Sequence, residues 1–292
     1  MKKTSIVVLL LLFIAGCGGS EADISQKNQD LITNPGTKTL TGVFVDSPVE
    51  GLQWLSGNMS GNTDVTGAFE YISGATVKFY VGDILIGEAT GNSIIIPLDL
   101  VGGAEDINNT TAINIVRFLL TLDDDNDSSN GIRILQASSD LALGASIDFT
   151  QSTPDFTGSG NVQSLISTLT SVTEAGPRAL VSVFDALSHA ENTMKDLLVG
   201  TYTGTFSGDN SGTWIGTLAT SGILLGTATS AEVVTFSGVV STNGSGNTDF
   251  TTSGGVSDGT TFSGKFSPDG NASGTWSYFG EESGTWVGVK SN

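Results

Sequence analysis

GTYTGTFSGDNSGTWIGTL, residues 200–218, reads as two β-strands and the turn between them. Thr201, Thr203, Thr205, Thr213 and Thr217 alternate with Tyr202, Gly204, Phe206, Trp214, Gly216 and Leu218, and a period of two sends these sets to opposite faces of a pleated strand. Gly208-Asp209-Asn210-Ser211 between them are turn formers. The same wording recurs downstream, as Gly-Thr-Trp at 212–214, 274–276 and 284–286 and as Thr-Phe-Ser-Gly at 205–208, 235–238 and 261–264. Turn signals divide the rest of the chain into eight strands, at 200–207, 212–220, 222–229, 233–241, 247–254, 260–267, 273–279 and 284–290, the spacing of an antiparallel meander. Tyr202, Phe206, Trp214, Leu218, Phe262, Phe266, Trp276, Tyr278 and Trp286 share one face, and Thr201, Thr203, Thr205, Thr217 and Ser263 the other. No helix in this segment is available to cover the aromatic face. Eight strands suffice to close a small barrel on it, so residues 200–292 are expected to form a barrel with a dry, packed interior and a polar outer face. Gly204, Gly216, Gly238, Gly264 and Gly288 lie two residues from an aromatic on the same face, where bare backbone lets a sheet bend and a ring lie across it.

Upstream, residues 39–199 are read as a β-sandwich-like module with covering helices. Short strands are expected at Leu40 to Val45, Leu52 to Leu55, Ala68 to Ile72, Val77 to Val81, Ile84 to Gly87 and Ser93 to Ile96, punctuated by Asp46-Ser47-Pro48, Gly57-Asn58, Gly61-Asn62 and Gly82-Asp83. Three helices follow in the pattern. The first is capped by Thr110 or Thr111 and carries Ile115, Phe118, Leu119 and Leu122 on one stripe. A second, short one carries Val162, Leu165, Ile166 and Leu169. A third starts at Pro177, carries Leu180, Phe184, Leu187, Met194 and Leu198, and ends at Gly200. Thr63-Asp64-Val65-Thr66-Gly67-Ala68-Phe69 resembles the Thr-Asp-x-x-Gly-x-Phe turn and strand of prealbumin-like domains of the Cna-B type in bacterial surface proteins. That resemblance implies a spacer or adhesive module rather than a catalyst.

Asp123, Asp124, Asp125 and Asp127 directly follow the first helix. Carboxylates at a helix carboxyl terminus oppose the macrodipole by about 0.3–1 kcal/mol each, a cost that a cation would reverse. Asp123, Asp125 and Asp127 alternate like calcium ligands at the start of an EF-hand loop, with Asn130 as a further oxygen. Ser128 and Ile134, however, stand where that loop requires Gly and Glu. Calcium on these three aspartates and a solvated acidic turn are the two readings.

At the other end of the chain, Lys2 and Lys3 precede an apolar run from Ile6 to Ile14 and then Ala15-Gly16-Cys17. This is the layout of a secretory signal, too short to span a bilayer, which takes about 20 apolar residues. It resembles the lipobox of bacterial lipoproteins, which implies cleavage after residue 16, acylation of Cys17 and a membrane partner reached through the lipid. Residues 17–38 are polar and broken by Asn34-Pro35-Gly36, and as a flexible tether would reach about 25 Å. Gly18 after the cysteine, rather than aspartate, implies outer-membrane residence. A lipid-anchored chain ending in an eight-stranded barrel is also similar in outline to the transferrin-binding and complement-factor-binding surface lipoproteins of Gram-negative bacteria.

Loss of Lys2 and Lys3 leaves nine basic against 30 acidic side chains, a net charge near −21. Such an excess repels phosphate backbones, so nucleic acid is excluded as a partner. One histidine, one cysteine that would be acylated and no phosphate-binding loop argue against an enzyme. His189 reads as a partly exposed helical histidine. The expectation is therefore a non-catalytic envelope lipoprotein that binds an unknown protein or glycan or plays a structural role. A small-molecule carrier using the barrel is the alternative, distinguished by whether the barrel interior is filled.

Overall fold

The computed structural model describes residues 38–102, 104, 108–241 and 250–291. The expected signal peptide, Cys17 and the tether to residue 37 lie outside the described residues, as do positions 247–249 of the fifth barrel strand. The protein is mainly β. Upstream of the barrel the alternating runs form β1 (Thr39–Phe44), β2 (Val49–Glu50), β3 (Gln53–Ser56), β4 (Met59–Asn62), β5 (Ala68–Ile72), β6 (Thr76–Val81), β7 (Ile84–Thr90) and β8 (Ile94–Ile95). Strands β5, β1 and β8 make one sheet and β4, β3, β6 and β7 another. Phe79 of the second meets Phe44 and Phe69 of the first, with ring centroids 4.8 and 5.1 Å apart, so a shared aromatic core holds the two sheets together. The Asp64 turn that feeds β5 is chemically explicit. Asp64 Oδ1 accepts hydrogen bonds from Thr66 N at 2.8 Å and Ala68 N at 3.0 Å, and Gly67 supplies the positive φ of 77°.

The helical segment comprises α1 (Thr110–Leu122), the short strand β9 (Ile132–Arg133) paired in parallel with β2, α2 (Gln136–Leu141), α3 (Thr153–Gly158), α4 (Gly160–Thr170) and α5 (Val183–Leu198). Sequence reasoning treats α1 as an amphipathic cover, but every side chain from Ala112 to Leu122 is buried. Polar residues on its far side are satisfied internally. Arg117 donates from Nε to Val181 O at 2.7 Å and from Nη2 to Thr157 Oγ1 at 2.8 Å, and Asn114 Nδ2 donates to Phe149 O at 3.0 Å. Helix α1 is thus the centre of the upstream core, wrapped by the chain that follows it. Its cap is Asn109, whose Oδ1 accepts from Thr111 N and Ala112 N, not Thr110 or Thr111. The carboxamide one position earlier reaches the first free amides.

Helix α5 also starts later than expected. Pro177 lies in a bend and Ser182 is the cap, accepting from Asp185 N at 3.1 Å. Residues 178–181 instead bridge α4 and α1: Arg178 N donates to Thr170 Oγ1 of α4 at 3.2 Å and Val181 N to Thr121 Oγ1 of α1 at 3.0 Å. The buried stripe of α5 is consequently Ala186, Thr193, Met194 and Leu198, and Phe184 faces outward at 79% exposure.

The C-terminal meander closes. Strands β10 (Gly200–Gly208), β11 (Gly212–Leu218), β12 (Ile223–Thr229), β13 (Val233–Ser241), β14 (Phe250–Val256), β15 (Thr260–Phe266), β16 (Asn271–Tyr278) and β17 (Glu282–Lys290) pair in sequence, and β17 returns to β10. Tyr202, Leu218, Leu224, Val240, Phe266 and Ala272 form an apolar floor. It shares a core with Ile96, Leu98, Met194 and Leu198 of the upstream half. Polar groups reinforce this junction. The Tyr202 hydroxyl donates to Leu198 O at 2.9 Å and Lys290 Nζ to Leu197 O at 2.8 Å, satisfying carbonyls at the end of α5 and placing a cation where the helix dipole favours one. The outer face is less polar than the threonine pattern predicts. It carries Ser, Thr and Lys265 on β15 and β16, but Ile215, Ile223, Leu225, Val239, Val287 and Val289 stand exposed elsewhere on the wall.

Candidate functional site

Besides Gly208 with Gly284, four glycine pairs meet across neighbouring strands in the barrel wall: Gly204 with Gly288, Gly216 with Gly226, Gly238 with Gly254 and Gly264 with Gly274. One aromatic ring lies over each pair, Trp214, Phe236, Phe262 and Trp286 respectively. A methyl group on Gly226 would fall 2.4 Å from the Phe236 ring and 2.2 Å from Ile215 O, and one on Gly264 2.4 Å from the Trp286 ring. Only glycine leaves room for this approach. The four rings touch edge to face around the lumen: Trp214 to Phe236 at 6.1 Å, Phe236 to Phe262 at 5.6 Å, Phe262 to Trp286 at 6.4 Å and Trp286 back to Trp214 at 5.7 Å. Each contact has the geometry aromatic quadrupoles favour.

Above the floor the interior is open: a cavity of about 400 Å³ reaches past this belt of rings to Leu224 and Phe266 and is walled by Phe206, Trp214, Phe236, Phe262, Trp276 and Trp286. The expectation of a packed interior therefore holds at one end only. With glycine at so many inward positions, and Ala228 and Val234 above the belt, too little side-chain volume remains to fill the lumen there. All three indole N–H groups are already committed to the wall. Trp214 Nε1 donates to Val287 O at 3.0 Å, Trp276 Nε1 to Ser207 O at 3.1 Å, and Trp286 Nε1 to Ser263 O and Thr275 O at 3.2 Å. The rings consequently present carbon to the cavity, and polar groups are confined to its rim, where Asn210, Ser230, Glu232, Asp258 and Thr260 stand.

In the acidic loop after α1, Asp125 and Asp127 are exposed and Asp123 is not. Asp123 is buried at 1% exposure, and its Oδ1 accepts from Arg133 N at 2.9 Å. Burial pushes its carboxyl up, and the neighbouring charge of Asp125 adds to this. Asp125 accepts from Asp127 N and from Asn130 Nδ2, and Asp127 Oδ1 from Ser129 N and Oγ. Among the described residues no group of three or more His, Cys, Asp and Glu side chains converges on a point that could hold a metal ion. The cation at this helix end is Arg178, whose guanidinium donates to Thr121 O at 2.8 Å and to Asp123 O. Arg133 adds a second positive charge 3.5 Å from Asp124.

His189 has partners that the sequence did not announce. Its Nε2 lies 3.2 Å from Asp46 Oδ1, and its Nδ1 lies 3.3 Å from the Ser128 hydroxyl. Asp46 is almost wholly buried, and the imidazole is 14% exposed. Burial alone would lower the histidine, but the hydrogen bond and charge of Asp46 outweigh it and hold its pKa above the ordinary value. An Asp-His-Ser chain has the components of a hydrolase relay. We read it as a tie between α5, the β1–β2 turn and the acidic loop.

No protein-family model matches the sequence, and no curated protein is significantly similar to it. The barrel cavity is accordingly assigned on its own geometry.

Proposed function

We propose that this protein is a non-catalytic, lipid-anchored envelope protein whose C-terminal barrel binds a small apolar molecule. The observation that carries the reading is the open end of the barrel, a cavity of about 400 Å³ lined by seven aromatic side chains, with no free indole donor. Pockets for small molecules commonly span about 300–1,000 Å³, lined by apolar and aromatic groups with a few polar ones at the edge. The anchor rests on the Lys2-Lys3 start, the apolar run and Cys17, and would hold the barrel at a membrane, where apolar molecules partition. A neutral fluorescent naphthylamine tests the binding. It should brighten with the full chain and saturate at one site per barrel. Ala228→Trp, which fills the lumen from the wall, should abolish the signal while leaving the circular dichroism unchanged. Equal brightening with the filled variant would place the dye elsewhere and remove the support for this reading.

A partner-binding role draws on a different surface. Ile223 and Val239 face each other across β12 and β13 with Leu225 two positions along, and all three are about half exposed.

A further inference from the structure

The rim of the cavity carries one sign of charge. Four hairpin loops surround the open end, at 209–211, 230–232, 257–259 and 279–281, and they and the strand start beside them hold Asp209, Glu232, Asp258, Glu281 and Glu282. No Lys or Arg occurs in these loops. The described barrel has two lysines: Lys265 is next to the floor residue Phe266 on β15, and Lys290 spends its ammonium on the Leu197 carbonyl at the closed end. Glu232 and Asp258 themselves line the cavity. Resting on the cavity reading above, we infer that the ligand is a cationic amphiphile: an apolar chain or ring system that lies among the aromatic walls and carries an amine or quaternary ammonium at the rim. Two features of the wall agree with this. Aromatic faces attract an ammonium group approaching the mouth, and the tryptophan N–H groups that would otherwise greet an anionic headgroup are bonded to backbone carbonyls. A carboxylate or sulfate headgroup would instead sit among like charges with no basic partner.

Three probes of one chain length separate the parts of this inference: decyltrimethylammonium, decanol and decanoate, each titrated below its micelle concentration into the detergent-free Cys17→Ala chain and followed by tryptophan fluorescence and calorimetry. The expected order of affinity is ammonium, alcohol, carboxylate, with about a tenfold gap between first and last at low salt. Glu232→Gln with Asp258→Asn should narrow that gap severalfold, and so should 0.5 M salt, because charges at the rim are screened. Equal affinity for all three probes, or preference for decanoate, overturns the charge inference while leaving an apolar cavity. Failure of all three to bind overturns the cavity reading with it.

Discussion

His189 and Asp46 show how one pair of side chains makes stability depend on pH. Burial raises Asp46, with His189 acting against it, and the pair raises His189. Both groups therefore hold their protons more tightly in the folded chain than in the unfolded one, and stability must fall as pH rises through each window. For Asp46 the fall begins above the ordinary carboxylate value near 4; for His189 it begins near 6.5 and continues through the raised folded value. His189→Gln keeps a polar side chain but cannot titrate. The melting temperature of the wild-type chain should decline as pH rises above about 6.5, and the variant should lose that slope and melt lower at pH 6. Identical slopes in the two chains would mean that this pair does not govern the dependence. The sequence gives each residue separately but not the pairing, since 143 positions separate them and no local pattern connects a turn to the middle of a distant helix. The acidic loop is only partly legible for the same reason. Its alternating aspartates are legible, but Arg178, which supplies the positive charge that the helix end requires, is 55 positions away in a stretch that reads as helix.

At the scale of elements, the eight strands are close to where alternation and turn chemistry put them, and the glycines two residues from aromatics are legible as a repeat. Their function is not, because the two glycines under each ring come from different strands and meet only once the register is set. Each ring crosses a pair made of one glycine from its own hairpin and one from the hairpin before it. Trp214 does so over Gly204 and Gly288, which closes the set, since Gly288 is on the last strand. The repeat is thus a device for closing the barrel as well as bending it. Gly226→Val should be far more damaging than its place in an open lumen suggests. Its side chain would displace Phe236 and break the belt at two contacts, and overpacking of this kind costs about 1–3 kcal/mol. Thr227→Val beside it, on the outer face, should cost under about 0.5 kcal/mol. Chemical denaturation of the two variants checks this. A Gly226→Val chain as stable as the Thr227→Val chain would show that the belt does not hold the barrel shut.

For the whole molecule, the proposed anchor and the barrel floor set what is expected when the chain is cut or released. Cys17→Ala should move the protein from the membrane to the soluble fraction, because the acidic chain has no basic patch to hold it at anionic lipid; recovery with membranes at the unmutated level would refute lipid anchoring. Sequence reasoning divides the chain between residues 199 and 200, and β10 does begin at Gly200, but the barrel floor is completed by side chains from before that point. Leu198 and Met194 lie against Tyr202 and Phe266, and the Tyr202 hydroxyl and Lys290 ammonium have their acceptors on the last turn of α5. A fragment starting at 200 would leave the buried Tyr202 hydroxyl and the half-buried Lys290 without those carbonyls and expose the apolar floor to water. Fully burying a leucine or methionine is worth about 1.5–3 kcal/mol, and a lost hydrogen bond of this kind costs about 1–3. Residues 183–292, which keep α5, should therefore melt well above residues 200–292, and the shorter fragment should associate through its bare floor as concentration rises. The open end is unaffected by the cut, so the naphthylamine dye should still enter whatever fraction of the short fragment remains folded. Equal melting temperatures for the two fragments, with both monomeric, would show that the strand ring closes its own floor and that the helix contacts add nothing to it.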